Sequence, residues 1–190
     1  MITEKHPFDP FLPAGAQILF LGSFPPPEHR WSMPFYYPNW INDFWRIMGL
    51  IHFGDKNHFC DTPRKRFDED AIRTFCAQKG FAFSDTACEV RRLKDNASDA
   101  FLEVIAPTDL KKLLRKIPDC LAIVTTGQKA SELAAKQLAC DVPPVGSFVD
   151  ISFNDGSGMR AIRFWRMPSS SRAYPLPLDR KADAYRQLFE

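Results

Sequence analysis

The chain has no histidine after residue 58, no Cys-x-x-Cys pair, no internal repeat and no apolar run of membrane-spanning length. Each absence excludes something. Its five cysteines (Cys60, Cys76, Cys88, Cys120 and Cys140) are odd in number and widely spaced. A disulfide framework is therefore not expected, and the composition reads as that of a cytoplasmic protein. The opening residues Met1-Ile2-Thr3-Glu4-Lys5-His6 carry no apolar signal region, so the chain reads as soluble with no membrane partner. His52, His58 and Cys60 lie close in sequence but match no usual ligand spacing, so neither a metal nor a cofactor is expected. No linker or low-complexity segment interrupts residues 1–190, which are expected to form one domain acting as a monomer.

What is present points to a sizeable aromatic core. At 190 residues and 45% hydrophobic, with 17 Phe, 4 Trp and 4 Tyr, the chain can bury one substantial interior. Net charge is only +2, but it is uneven. Between Met159 and Lys181, the cations Arg160, Arg163, Arg166, Arg172, Arg180 and Lys181 face Asp179 alone. Such a segment fits either a phosphate-binding patch or an ordinary solvated face.

Strand and helix signals alternate through the middle. Asp68 is placed to cap a helix ending at Lys79, with Gly80 closing it. Phe81–Asp85 then reads as a short strand. Thr108 is expected to cap a helix to Lys116 that Pro118 stops. The β-branched run Leu121–Thr126 reads as a buried parallel strand, turned by Gly127 into a helix from Gln128 to about Ala139. Asn154-Asp155-Gly156-Ser157-Gly158 separates Phe148–Phe153 from Met159–Met167 as a hairpin turn. A last helix runs from Leu178 to Phe189. The expected architecture is a three-layer α/β/α domain with a mainly parallel central sheet.

Two loops stand out against this frame. The apolar run Ile18–Leu21 stops at Gly22-Ser23-Phe24-Pro25, and the strand-like Ile162–Met167 runs into Pro168-Ser169-Ser170-Ser171-Arg172. Open α/β sheets place ligands where strands end in such loops, so the two are expected to border one cleft.

These segments, in this order, resemble the uracil-DNA glycosylase superfamily. Gly22-Ser23-Phe24-Pro25 is similar to its first motif, a Gly-x-x-Pro loop after the first core strand. Tyr36-Tyr37-Pro38-Asn39-Trp40-Ile41-Asn42-Asp43-Phe44-Trp45 resembles the Tyr-Tyr-x-His-Pro-x-Asn-x-Phe-Trp segment of hypoxanthine-DNA glycosylases and their mismatch-specific uracil relatives. Gly80–Asp85 with Cys88–Arg92 is similar to that branch's central strand, and Pro168–Arg172 to the second motif.

The resemblance implies DNA as partner and a base rotated out of the duplex into a pocket. It implies Gly22, Ser23 and Phe24 at the pocket wall and Tyr37 as the ring that stacks on the base. Asp85 stands where relatives read the base edge. Ser169, Ser170 and Ser171 would hold phosphates, and Arg172 would lie on the segment that wedges into the duplex. Asn42 takes the catalytic position, orienting water. Each has a plainer alternative: packing for Tyr37, a backbone-bonded structural role for Asp85, an ordinary turn for the serines, a surface arginine, and a helix N-cap for Asn42.

The departures are specific. Phe24 occupies the place where most active families carry Asp or Asn, and Asn39-Trp40 replaces His-Pro. The second motif has no histidine. The clustered cysteines of the iron–sulfur branches are absent, and no lysine is placed for Schiff-base chemistry. The expected activity is hydrolysis of the N-glycosidic bond of hypoxanthine or uracil in DNA base excision repair. The competing readings are an inactive fold that binds nucleic acid or a free nucleobase, and a hydrolase using Ser23 as nucleophile.

Overall fold

The computed structural model describes residues 3–94 and 99–190. Five strands form the central sheet: β2 (Ile18–Gly22), β5 (Phe81–Asp85), β8 (Ala122–Thr126), β9 (Ser147–Asn154) and β10 (Met159–Met167). Their order is β5-β2-β8-β10-β9. The first four run parallel, and β9 adds an antiparallel edge through the hairpin at Asn154–Gly158. A second, antiparallel sheet contains β1 (Thr3–Lys5), β6 (Ala87–Arg92) and β7 (Leu102–Pro107) in the order β1-β6-β7. A two-residue ladder, β3 (Cys60–Asp61) with β4 (Arg66–Phe67), lies in the connection before the second helix.

Side-chain alternation along β2 explains its unbroken apolar sequence. Phe20 joins one buried cluster, with Phe44, Trp45, Phe83 and Tyr185, while Leu19 and Leu21 join another, with Leu113, Leu114, Ala134 and Phe164. Neighbouring residues of a strand point to opposite faces, so a strand covered on both sides must be apolar throughout. Helices α1 (Phe44–Phe53), α2 (Glu69–Lys79) and α5 (Leu178–Arg186) cover the first face; α3 (Leu110–Arg115) and α4 (Gln128–Leu138) cover the second. The result is the expected three-layer arrangement.

Local chemistry sets the helix ends. Asp68 accepts a hydrogen bond from the Ala71 N–H, and Gly80 closes the same helix at φ 70°. One expectation is corrected at α3, where Asp109, not Thr108, is the cap and accepts from the Lys112 N–H. The Thr108 hydroxyl instead donates to the Asp85 carbonyl, 2.6 Å away, tying the end of β7 to the end of β5. The basic stretch between Met159 and Lys181 also differs from a single patch. Arg160 donates to the carbonyls of Leu114, Ile117, Pro118 and Cys120, Arg163 pairs with Asp150, and Lys181 is buried. Alternation along β10 and the turn into α5 disperse these charges over different faces.

His52, near the end of α1, packs its ring against Phe75, Phe81 and Phe189. Its Nε2 is buried with no hydrogen-bond partner among the described residues. Burial, with Lys79 adding to it, lowers its pKa to about 4 from the ordinary 6.5. Between those values the unfolded chain binds a proton that the native chain does not, so stability falls as pH drops from about 6.5 towards 4. We expect the melting temperature of His52→Leu to fall less steeply than that of the wild type across this window. Parallel profiles would show that His52 does not contribute.

Candidate functional site

The C-terminal ends of four parallel strands open on one cavity of about 530 Å³, within the usual range for ligand pockets. Gly22 ends β2, Asp85 ends β5, Thr126 ends β8, and Ser169 follows β10; all four line it. From β2 the chain first adds β5 on one side, then crosses to β8 on the other. The cavity therefore sits at the topological switch point, where open α/β sheets bind ligands. The two loops singled out in the sequence share it: Ser23, Phe24 and Pro25 line one part, Ser169 to Arg172 another.

An ionic clamp fixes the second loop. Asp43 and Lys181 are both buried, and Lys181 Nζ donates to Asp43 Oδ2 at 3.0 Å. Arg172 Nε donates to Asp43 Oδ1, also at 3.0 Å. The same lysine donates to the Ser171 carbonyl, and one turn further along α5 the Tyr185 hydroxyl donates to the Pro168 carbonyl, each at 2.8 Å. The Asp43 N–H completes the attachment by donating to the Ser170 carbonyl at 2.9 Å. Both ends of the Pro168–Ser171 loop are thus held by α5, and its middle by the start of α1. Within the loop, Ser169 Oγ accepts from the Ser171 N–H, and Ser171 Oγ accepts from the Ala173 N–H. Ser170 is buried.

Tyr37 stands on the wall with its ring parallel to Phe44, centroids 3.9 Å apart. Its hydroxyl and that of Thr126 are 2.8 Å apart in a hydrogen bond, and burial raises its pKa above the ordinary value. Among the described residues, Tyr37 is also one of three non-glycine residues with positive φ, at 53°. Such a conformation costs on the order of 1–3 kcal/mol and persists only where surroundings enforce it. Here the Phe44 stack and the Thr126 bond enforce it. Tyr36 also contributes to the lining but is buried in the core, where its hydroxyl donates to the Asp9 carbonyl.

Asn42 lines the cavity, and its Oδ1 accepts from the Phe44 N–H at 2.9 Å. The cap residue of α1 is Asp43, with no side-chain capping bond, so Asn42 stands one residue before the cap and its bond to Phe44 is a local turn into the helix. The amide oxygen serves the helix, while the Nδ2 donors belong to the opposite end of the same group. Asp85 is buried and braced from both sides: Oδ1 accepts from the Gly22 N–H at 3.1 Å, and Oδ2 is 2.8 Å from His6 Nε2. This closeness needs Gly22, since a Cβ there would stand 2.7 Å from Asp85 Oδ1. Phe24 lines the cavity and meets the His6 ring edge-on at 5.2 Å.

Three partners were not visible in the sequence. His6 reaches Asp85 because β1 pairs with β6, with Lys5 opposite Glu89. Thr126 meets Tyr37 across the strand ends. Asp99, at the start of a short 3₁₀ turn before β7, lines the cavity and accepts from the Ser23 hydroxyl at 2.5 Å. No periodicity marks it, since it lies in a connection between edge strands. Elsewhere, the His58 ring stacks on Phe53 and the Cys60 thiol donates to the Lys56 carbonyl; among the described residues no group of three or more His, Cys, Asp or Glu could hold a metal ion. Among the same residues no helix is long and apolar enough to cross a membrane.

No protein-family model matches the chain, and no curated protein matches it. The fold does match a solved structure. It is similar to the solution NMR structure of "a putative Uracil DNA glycosylase from Methanosarcina acetivorans", over 100% of both chains, with TM-score 0.64 and 19% identity. At that identity the likeness establishes a shared α/β fold, with its mainly parallel central sheet, and no more.

The clamp makes substitutions at its two cations behave differently. Removing one member of a buried pair strands the other charge, at about 3–5 kcal/mol, whereas exposed pairs are worth about 0–1 kcal/mol. Lys181→Met is expected to cost about 3 kcal/mol, because Arg172 still faces Asp43. The side chain of Arg172 is 48% exposed, so Arg172→Ala should cost under about 1 kcal/mol. Urea denaturation midpoints check both; equal losses would mean that the clamp does not depend on burial.

Proposed function

We propose that this chain is a monofunctional DNA glycosylase that hydrolyses the N-glycosidic bond of a deaminated base, hypoxanthine or uracil. The observation that carries the reading is the convergence of both motif loops, Tyr37, Asn42 and Asp85 on one cavity at the switch point of the sheet. The matching fold of a protein described as "a putative Uracil DNA glycosylase" agrees with it.

The geometry is compatible with the following roles. One face of Tyr37 is covered by Phe44, so a flipped base stacks on the other, gaining about 1–3 kcal/mol against the cost of leaving the duplex. Asp85 is fixed by Gly22 and His6 and presents acceptor lone pairs to an N–H of the base edge. Gly22, Ser23 and Phe24 form the adjoining wall. Ser169, Ser170 and Ser171, with Arg172 at the rim, grip flanking phosphates through hydroxyl and backbone donors. Asn42, with its oxygen engaged by Phe44, offers Nδ2–H to the oxygen of the attacking water. In the reaction the bond from C1′ to the base nitrogen breaks and its electron pair leaves with the base. Water oxygen then bonds to C1′ through an oxocarbenium-like transition state, and hydrolysis leaves the DNA strand intact.

A second reading has its own support. The Asn42 oxygen is engaged by the Phe44 N–H at the entry to α1 and Phe24 brings no polar group, which favours a protein that binds nucleic acid or a free nucleobase without cleaving it.

Single-turnover release of base from uracil- and inosine-containing oligonucleotides, single- and double-stranded, decides between them. Under the glycosylase reading at least one substrate loses its base. Asn42→Ala then slows release at least about tenfold with affinity for DNA nearly intact, beyond the roughly 1 kcal/mol of stability that losing its hydrogen bond to the Phe44 N–H costs. Tyr37→Ala weakens productive binding of lesion DNA instead. Affinity for duplex DNA should fall steeply with salt in every variant. Binding without release from any substrate would favour the second reading.

A further inference from the structure

Resting on the glycosylase reading, the geometry points to Asp99 as the general base of the reaction, with Ser23 holding it in place. Hydrolysis generates a proton on the attacking water, and some group must accept it. Asn42 cannot: an amide has no basic site near neutral pH, and its oxygen already accepts from the Phe44 N–H. The cavity has two carboxylates among the described residues, Asp85 and Asp99. Asp85 is braced at both oxygens, by the Gly22 N–H and by His6. Asp99 is held at one oxygen, Oδ1, by the Ser23 hydroxyl 2.5 Å away.

The backbone around Asp99 is anchored for such a role. Lys129, at the start of α4, donates its ammonium to the Asp99 carbonyl at 2.7 Å and also to the Leu102 carbonyl. These bonds fix the 3₁₀ turn to the helix that follows β8, whose last residue, Thr126, lines the same cavity. A carboxylate delivered from this turn lines the cavity beside Ser23 without belonging to either motif.

The charged and polar groups around it set its acidity. Burial raises the Asp99 pKa above the ordinary carboxylate value and Asp85 adds to this, while the Ser23 hydrogen bond and the Lys129 charge pull it back. A raised carboxylate pKa brings the base nearer to working pH, where proton abstraction is favoured. In the step itself, the water oxygen bonds to C1′ as the base departs with the electron pair of the glycosidic bond. The water proton passes to Asp99, and the resulting carboxylic acid returns it to solvent.

The test is a pH–rate profile of single-turnover base release from uracil- and inosine-containing oligonucleotides, for wild type, Asp99→Asn and Ser23→Ala. For the wild type the rate should fall about tenfold per pH unit on an acid limb lying above the usual aspartate range. Asp99→Asn should lower the rate at neutral pH about 100-fold and remove the acid limb, with lesion-DNA affinity and melting temperature near wild type. Ser23→Ala should keep the limb but move its midpoint upward, because the donor that favours the ionised form is gone. An active wild type whose Asp99→Asn variant keeps both rate and acid limb overturns the assignment of Asp99 alone. A wild type that releases no base overturns the glycosylase reading, and the assignment with it.

Discussion

The buried contact between Asp43 and Lys181 is the constraint on which the cavity depends. A buried ammonium and carboxylate are tolerable only when paired and hydrogen-bonded, and here Lys181 also donates to the Ser171 carbonyl while Arg172 donates to the other Asp43 oxygen. The loop after β10 is held because Lys181 needs the Ser171 oxygen. Helix α1 is oriented because the Asp43 side chain and its N–H face that same loop. Residues 138 positions apart in sequence thereby fix two walls of one pocket relative to each other. Asn42 and Phe44, on either side of Asp43, inherit their positions from the clamp, and through Phe44 so does Tyr37.

Opposite the clamp, the walls are held by the sheet. Asp85 and Gly22 are paired in register at the ends of adjacent parallel strands, which is why one carboxylate can accept the neighbouring backbone N–H. The second sheet contributes by placement. It brings His6 to Asp85 through β1 and Asp99 to Ser23 through the turn before β7, so His6 braces a cavity residue from behind while Asp99 lines the cavity itself. The parallel sheet supplies the position of the cavity and Asp85, and the second sheet's connections add His6 and Asp99.

Much of this was legible in the sequence. The strands Phe81–Asp85 and Met159–Met167, the helix capped by Asp68 and the hairpin at Asn154–Gly158 follow from apolar periodicity and turn chemistry, which are local. The shared cleft of the two loops followed from the rule that parallel strands end at the ligand site. The Thr108 cap failed because two adjacent residues were both competent; Asp109 accepts the helix N–H while Thr108 bonds to the end of β5. The basic stretch was misleading as a patch, because alternation along β10 sends its arginines to separate acceptors. The partners His6, Thr126 and Asp99 were hidden for a common reason. Each meets its target across strand ends or between sheets, and sequence spacing carries no signal of such contacts.

The central claim is that the cavity receives one extruded base while the second loop holds the neighbouring phosphates. A structure of the protein bound to an oligonucleotide carrying a non-hydrolysable lesion nucleotide tests it most directly. The account predicts the lesion base in the cavity, against the face of Tyr37 opposite Phe44, with a flanking phosphate on Ser169–Ser171. DNA bound with all its bases stacked, or held on a surface away from this cavity, would contradict it.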